Sequence, residues 1–399
     1  MRLLQPIIAN ILLFASAIGF GNLIPTLSPK IYSRIDSVSV TLLGGLGILG
    51  TLLFIVGQFW FSLTPILIIV VVGILLSVRP ILSALRQGRH IIGEMQVPLL
   101  PLAILGTVLV VTALAGLALP TGDMNNDSIA YHYLGPSVWL KQGVIRAVPD
   151  ETLTYFPAVI ETQYGALMAL GSQRAPQLFS VISLLAILLA AASLATRMGL
   201  DQRGIWWSLA LLATMPALYR GLYGGFVDAL FAAFVLLAAR LLFDAERPTE
   251  FAVCGIFCGL AMGTKYTGIM AFGLLAISLI AIAVWTKDRP TSLIFKGLVL
   301  TGFAAIVVAS PFYLRNWLLY GCPIYPPPPA LLRFFSPPGL SPDVMRELLK
   351  NVRETGEGMG KTPMNFLLLP FNLTYHTADF RGGGGIGLVP FVLGPFGLF

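Results

Sequence analysis

Residues 98 to 120 contain no charged side chain. A helix of about 20 apolar residues is long enough to cross the hydrocarbon core of a bilayer. Comparable runs recur at roughly 7–24, 38–57, 62–79, 98–119, 176–196, 204–219, 226–243, 251–264, 268–286, 294–312 and 386–399. They predict an all-α polytopic membrane protein with about eleven spans, although 251–264 is short for a span. Composition agrees: 56% of residues are hydrophobic and 11% are charged, against about 25% charged in soluble domains. The first run follows a single basic residue, Arg2, and shows no clear small-residue cleavage site, so it reads as a retained helix. The run 386–399 is shorter than a full span, so the sequence is expected to be a truncated form of a longer chain.

The net charge of +7 points to topology rather than to nucleic acid, because basic residues in membrane proteins mark the cytoplasmic loops. There is no basic-aromatic patch, zinc spacing or helix-turn-helix signal. Cys254 and Cys258 read as small buried side chains of an apolar helix, and three cysteines make no disulfide framework. With the N-terminus outside, twelve basic residues fall on the inner side. They are Lys30, Arg34, Arg79, Arg86, Arg89, Arg197, Arg203, Arg240, Arg247, Lys287, Arg289 and Lys296.

Two long loops, about 121–175 and 313–385, then lie outside and hold most of the polar sequence. Asp123, Asp127, Glu161, Asp228, Lys265 and Arg315 come from separate segments, yet all map to that outer face. Ionisable groups near membrane depth are costly and mark function. Within the first loop, 129–140 and 157–170 carry apolar residues at helical spacing and are too short to cross. Both are expected to lie as amphipathic juxtamembrane helices in the interface. The four glycines 382–385 lead into the last run and are no phosphate loop, since no strand precedes them and no Lys-Ser/Thr follows.

The polar run 123–133, DMNNDSIAYHY, sits at the mouth of the span that ends at Pro120. Its carboxylates suit a cation site, a proton relay or a general base. Asp127 equally suits a helix N-cap for Ile129 onward, and Asp228 opens a helix and suits the same role. Glu161 also fits a solvated helix face. Lys265 also fits a lysine snorkelling from a helix end.

Four patches in order resemble the GT-C membrane glycosyltransferases. The closest similarity is to the bacterial branch related to protein O-mannosyltransferases and the aminoarabinose transferase. The first patch is DSIAYHYLGP at 127–136, with WLKQG at 139–143, YFP at 155–157 and Glu161. The others are VDALFAAF at 227–234, GLAMGTKYTG at 259–268 and PFYLRNWLLYGCPIYP at 311–326, where Cys322 replaces the usual Asn. The resemblance covers about 98–399. It implies a GT-C-like catalytic core over 96–399, lacking its C-terminal part, and leaves 1–95 as accessory helices.

It further implies transfer of a sugar from a polyprenyl-phosphate donor, on the outer side of a bacterial inner membrane. The acceptor would be a glycolipid, polysaccharide or protein. Asp127 is the expected base, with Asp123 and Asp228 as further catalytic carboxylates. His132, Tyr131, Glu161 and Asn316 are expected to bind substrate. Lys265 and Arg315 would together hold the leaving phosphate. A divalent cation on Asp123, Asp127 and Asp228 stays open. A transporter or flippase of lipid-linked sugars is the alternative reading. The clustering of charge at one face, rather than along a path through the helices, favours the transferase.

Overall fold

The computed structural model describes residues 4–24, 33–94, 98–118, 127–148, 151–286, 289–325, 327, 334, 343 and 362–376. Among these residues there are helices and no strand. The first thirteen α-helices are α1 (Leu4–Gly21), α2 (Arg34–Gly57), α3 (Leu63–Glu94), α4 (Leu99–Ala118), α5 (Leu134–Gln142), α6 (Glu161–Leu170), α7 (Ala175–Arg197), α8 (Gln202–Ala213), α9 (Pro216–Tyr223), α10 (Asp228–Leu242), α11 (Pro248–Met262), α12 (Thr267–Thr286) and α13 (Thr291–Tyr320). Seven are long and apolar enough to cross a membrane: α1, α2, α3 over Leu63–Arg86, α4, α7, α12 and α13. The described residues are therefore all-helical, and the chain is of polytopic membrane type.

Three expected spans form helices too short to cross a membrane. The run 204–219 is broken into α8 and α9. Thr214 returns its hydroxyl to the Ala210 carbonyl at 3.0 Å, and Pro216, which has no N–H, starts the next helix. The runs 226–243 and 251–264 form α10 and α11, of 15 residues each. Such a helix is about 22 Å long, less than the hydrocarbon thickness. Both are heavily buried among their neighbours. The run 386–399 lies outside the described residues.

Helix ends gather into two groups. At one end, the Ile145 amide donates to Gly57 at 2.7 Å and the Val159 amide to Gly263 at 3.0 Å. The C-termini of α2 and α11 therefore meet the segment that follows α4. At the other end, Asp36 of α2, Ser193 of α7 and Arg240 of α10 bond to one another. Arg289, just before α13, donates to the Phe243 carbonyl at 2.6 Å. We call these the loop end and the basic end. The grouping follows the alternation of helix direction read from charge placement.

The first three helices share one apolar core with the rest: Leu43 and Leu46 of α2 belong to the same cluster as Trp139, Phe234 and Phe257. Small residues let backbones touch. A Cβ on Gly45 would stand 1.7 Å from the Ala17 carbonyl oxygen, and one on Gly259 2.6 Å from that of Ala305. Close approach of this kind drives helix association where the hydrophobic effect is absent.

The first loop differs from the expected pair of interfacial helices. The segment 129–140 splits into a π-helical turn, Ser128–His132, and α5. The segment 157–170 becomes α6, buried at every position from Glu161 to Met168. It packs against α1, α2, α3, α5 and α7. Its polar residues Thr162 and Gln163 bond to backbone rather than to a headgroup layer, Thr162 reaching the Gly50 carbonyl at 3.0 Å. The helix is a plug within the bundle, not an amphipathic float.

Candidate functional site

The π turn sets the centre of the loop end. The Ser128 hydroxyl donates to the Gly224 carbonyl, and the Tyr133 amide closes the turn on Ser128 at 2.9 Å. A π turn widens the helix by one residue and recurs at functional sites. Here it places Tyr131 and His132 side by side, with ring centroids 3.9 Å apart. His132 is fully buried, and its Nδ1 meets Glu161 Oε1 at 2.8 Å. Glu161 begins α6, so the plug helix delivers the carboxylate. His132 Nε2 and Glu161 Oε2 are both buried and have no partner among the described residues.

These groups line a cavity of about 360 Å³, together with Phe156, Lys265 and Tyr266. The Lys265 ammonium donates to Asp228 at 2.8 Å. Asp228 is the first residue of α10 and more than half exposed. Tyr131 is the meeting point of the negative charges. Burial first, then Glu161, Asp127 and Asp228, push its phenol well above the ordinary tyrosine range. The hydroxyl therefore keeps its proton and is able to donate a hydrogen bond.

Asp127 is exposed and precedes the π turn, and its side chain makes no capping hydrogen bond. The alternative role of helix cap is therefore not the one observed. Asp123 lies outside the described residues. Among the described residues no three His, Cys, Asp or Glu side chains are grouped as a metal site.

Arg315 and Asn316 are placed differently from the expectation. Arg315 Nη2 donates to the Tyr155 carbonyl at 2.9 Å and to that of Phe156 at 3.2 Å. Asn316 Nδ2 donates to the Tyr155 carbonyl at 2.8 Å and to the Tyr266 hydroxyl at 3.0 Å. Both hold the 155–156 segment from behind. Arg315 lines a second cavity with Arg146, whereas Lys265 lines the first. Among the described residues no single cavity brings the two cations together, so the expected shared grip on one phosphate is not seen in the geometry.

Tyr266 went unnoticed in the sequence. Its hydroxyl accepts from the Tyr325 amide at 3.1 Å and donates to the Tyr325 carbonyl at 3.2 Å. Burial raises its pKa to about 12. Its position beside Lys265, in the quoted patch, was the available signal. Arg146 was also missed; its signal was an arginine in a loop placed outside.

Chemically, the first cavity offers an imidazole oriented by a carboxylate, a cation, a phenol and aromatic walls. That set can hold a hydroxylated ligand and stabilise an anion. No family model, no curated protein and no solved structure matches the chain.

Proposed function

We propose that the chain is a GT-C-type glycosyltransferase that moves a sugar from a polyprenyl-phosphate donor to an acceptor hydroxyl at the outer face of a bacterial inner membrane. The observation that supports this most is the meeting of Tyr131, His132, Glu161 and Lys265, from three chain segments, around one cavity at the loop end. Asp127 and Asp228 act on the same phenol.

In the proposed reaction the acceptor oxygen bonds to the anomeric carbon as the bond from that carbon to the phosphate oxygen breaks. The acceptor proton passes to the Asp127 carboxylate. The electron pair leaves with polyprenyl phosphate, whose charge Lys265 meets. Aromatic faces of Tyr131 and Phe156 pack against the sugar. The four sequence patches add the resemblance already described.

The test uses the purified protein in detergent with polyprenyl-phosphate hexoses and a panel of glycolipid, polysaccharide and peptide acceptors. The expected result is acceptor-dependent release of polyprenyl phosphate. Movement of the intact lipid-linked sugar across liposomes without release would favour the transporter reading. The face is tested by cysteine labelling in intact cells: Gln142→Cys at the loop end should react, and Gln202→Cys at the basic end should not. The reverse pattern would overturn the outer-face placement.

A further inference from the structure

We propose that the groove between α2 and α13 holds an anionic glycerophospholipid of the bilayer, with its phosphate at Arg146 and Arg315. This stands apart from the transferase reading.

The groove has a volume of about 430 Å³. Phe54, Ile55 and Phe59 form one wall, and Leu314 and Leu318 the other. Ile55, Phe59, Leu314 and Leu318 are all exposed on the outside of the bundle. An apolar face on a spanning helix looks onto lipid, so the groove opens sideways into acyl chains.

Its polar end carries charge of one sign. Arg315 is only 4% exposed, and its Nε and Nη1 have no partner among the described residues. Its guanidinium carbon stands 5.4 Å from the Phe54 ring centroid. Arg146 lines the same groove, held by Nη1 bonds to the Gln58 carbonyl at 3.1 Å and the Ile145 carbonyl at 2.8 Å. Among the described residues no carboxylate lines the groove. A buried cation without a counter-charge is costly. The free Nε–H and Nη1–H leave the guanidinium on different sides, so each can give one charge-assisted hydrogen bond to an anionic oxygen. An apolar slot capped by such cations is complementary to a lipid with a phosphate head.

The occupant is a bilayer phospholipid rather than the sugar donor. Arg315 grips the Tyr155 and Phe156 carbonyls, and Phe156 faces the Lys265 cavity. That backbone stands between the groove and the reaction cavity. A phosphate in the groove is therefore not the one that leaves beside Lys265.

The test is lipid retention. The protein is purified in mild detergent and bound lipid is quantified per chain by mass spectrometry. Wild type should retain a glycerophospholipid, and the Arg146→Gln/Arg315→Met double variant about tenfold less, the effect of losing roughly one charge-assisted contact. Leu314→Trp fills the slot while leaving both arginines and their backbone bonds, so it should lose the lipid too. It decides the matter if the double variant does not fold. Adding phosphatidylglycerol to delipidated wild type should raise the melting temperature, and phosphatidylcholine should not. Equal lipid content in wild type and Leu314→Trp, or retention of polyprenyl phosphate in place of phospholipid, would overturn the proposal.

Discussion

The two ends of the bundle use charge in opposite ways. At the basic end the carboxylates are saturated. Asp36 is fully buried and accepts from the Ser33 amide at 3.1 Å, from the Ser193 hydroxyl and from Arg240 at 2.9 Å. Asp244 takes Arg240 on one oxygen, at 2.6 Å, and Arg197 on the other. Only Nε of Arg240 is left over. At the loop end the buried groups are half used. His132 keeps one nitrogen, Glu161 one oxygen, Arg315 two nitrogens and Asn316 its oxygen. Buried polar groups are normally satisfied, so a cluster of half-used ones requires an explanation. A closed network specifies a structure. An open one leaves donors and acceptors for something that arrives.

This contrast predicts that substitutions at the two ends fail in different assays. The largest effect is expected at Asp127. Asp127→Asn keeps shape and removes the proposed base, so on the transferase reading transfer should fall by about 10²–10⁴-fold. Stability should hardly move, because the exposed side chain caps nothing. Turnover and a melting curve are measured on the same preparation. Wild-type turnover would remove Asp127 from the mechanism.

Next in size is Asp36→Ala at the basic end. It removes one of the two carboxylates that Arg240 meets, leaving Asp244, and takes away the acceptor of Ser33 and Ser193. Losing charge-assisted hydrogen bonds at a buried site costs about 1–3 kcal/mol. The protein should melt earlier or accumulate poorly, while the fraction that folds keeps wild-type activity per molecule. Reduced activity in well-folded Asp36→Ala would show that the two ends are coupled, and the division drawn here would fail.

The basic end was legible in the sequence, and the loop end only in part. Arg197, Arg240 and Arg289 were assigned together because short basic loops mark one side. That rule concerns sidedness and needs no contacts. Long apolar runs likewise gave α4, α7 and α12 nearly at their observed limits. Hydropathy could not show that α10 and α11 are short core helices, because an enclosed apolar helix and a lipid-facing one read alike. It also mistook α6 for an interfacial helix: the polar residues Glu161, Thr162 and Gln163 looked like a wet face, yet each is buried. At the site, Tyr131, His132, Glu161 and Lys265 were named from motif and topology. Their partners were not, since a 2.8 Å contact between residues 132 and 161 has no periodic signature. Arg315 was assigned to the same phosphate as Lys265 because both map to one face, but a shared face does not fix which cavity each side chain lines.

The smallest expected stability effect, and the one that best separates the two ends, belongs to the Lys265–Asp228 pair. Its 2.8 Å contact is as short as many in the basic-end network. The carboxylate, however, is 55% exposed and the lysine 25% exposed. Water competes for both groups, and exposed pairs contribute roughly 0–1 kcal/mol. Lys265→Met should therefore shift the melting point very little, well below the shift for Asp36→Ala. Its effect should appear in turnover, because a cation beside the leaving phosphate is needed more as the glycosidic bond breaks than before. Donor and acceptor concentrations are varied separately, and any change in apparent affinity should fall on the donor. Asp228→Asn provides the opposite probe: it frees the ammonium from its carboxylate and should leave donor affinity equal or higher. If Lys265→Met unfolds the protein as readily as Asp36→Ala, the pair is a structural clamp. The loop end would then be built like the basic end, and the cavity would lose its phosphate-binding cation.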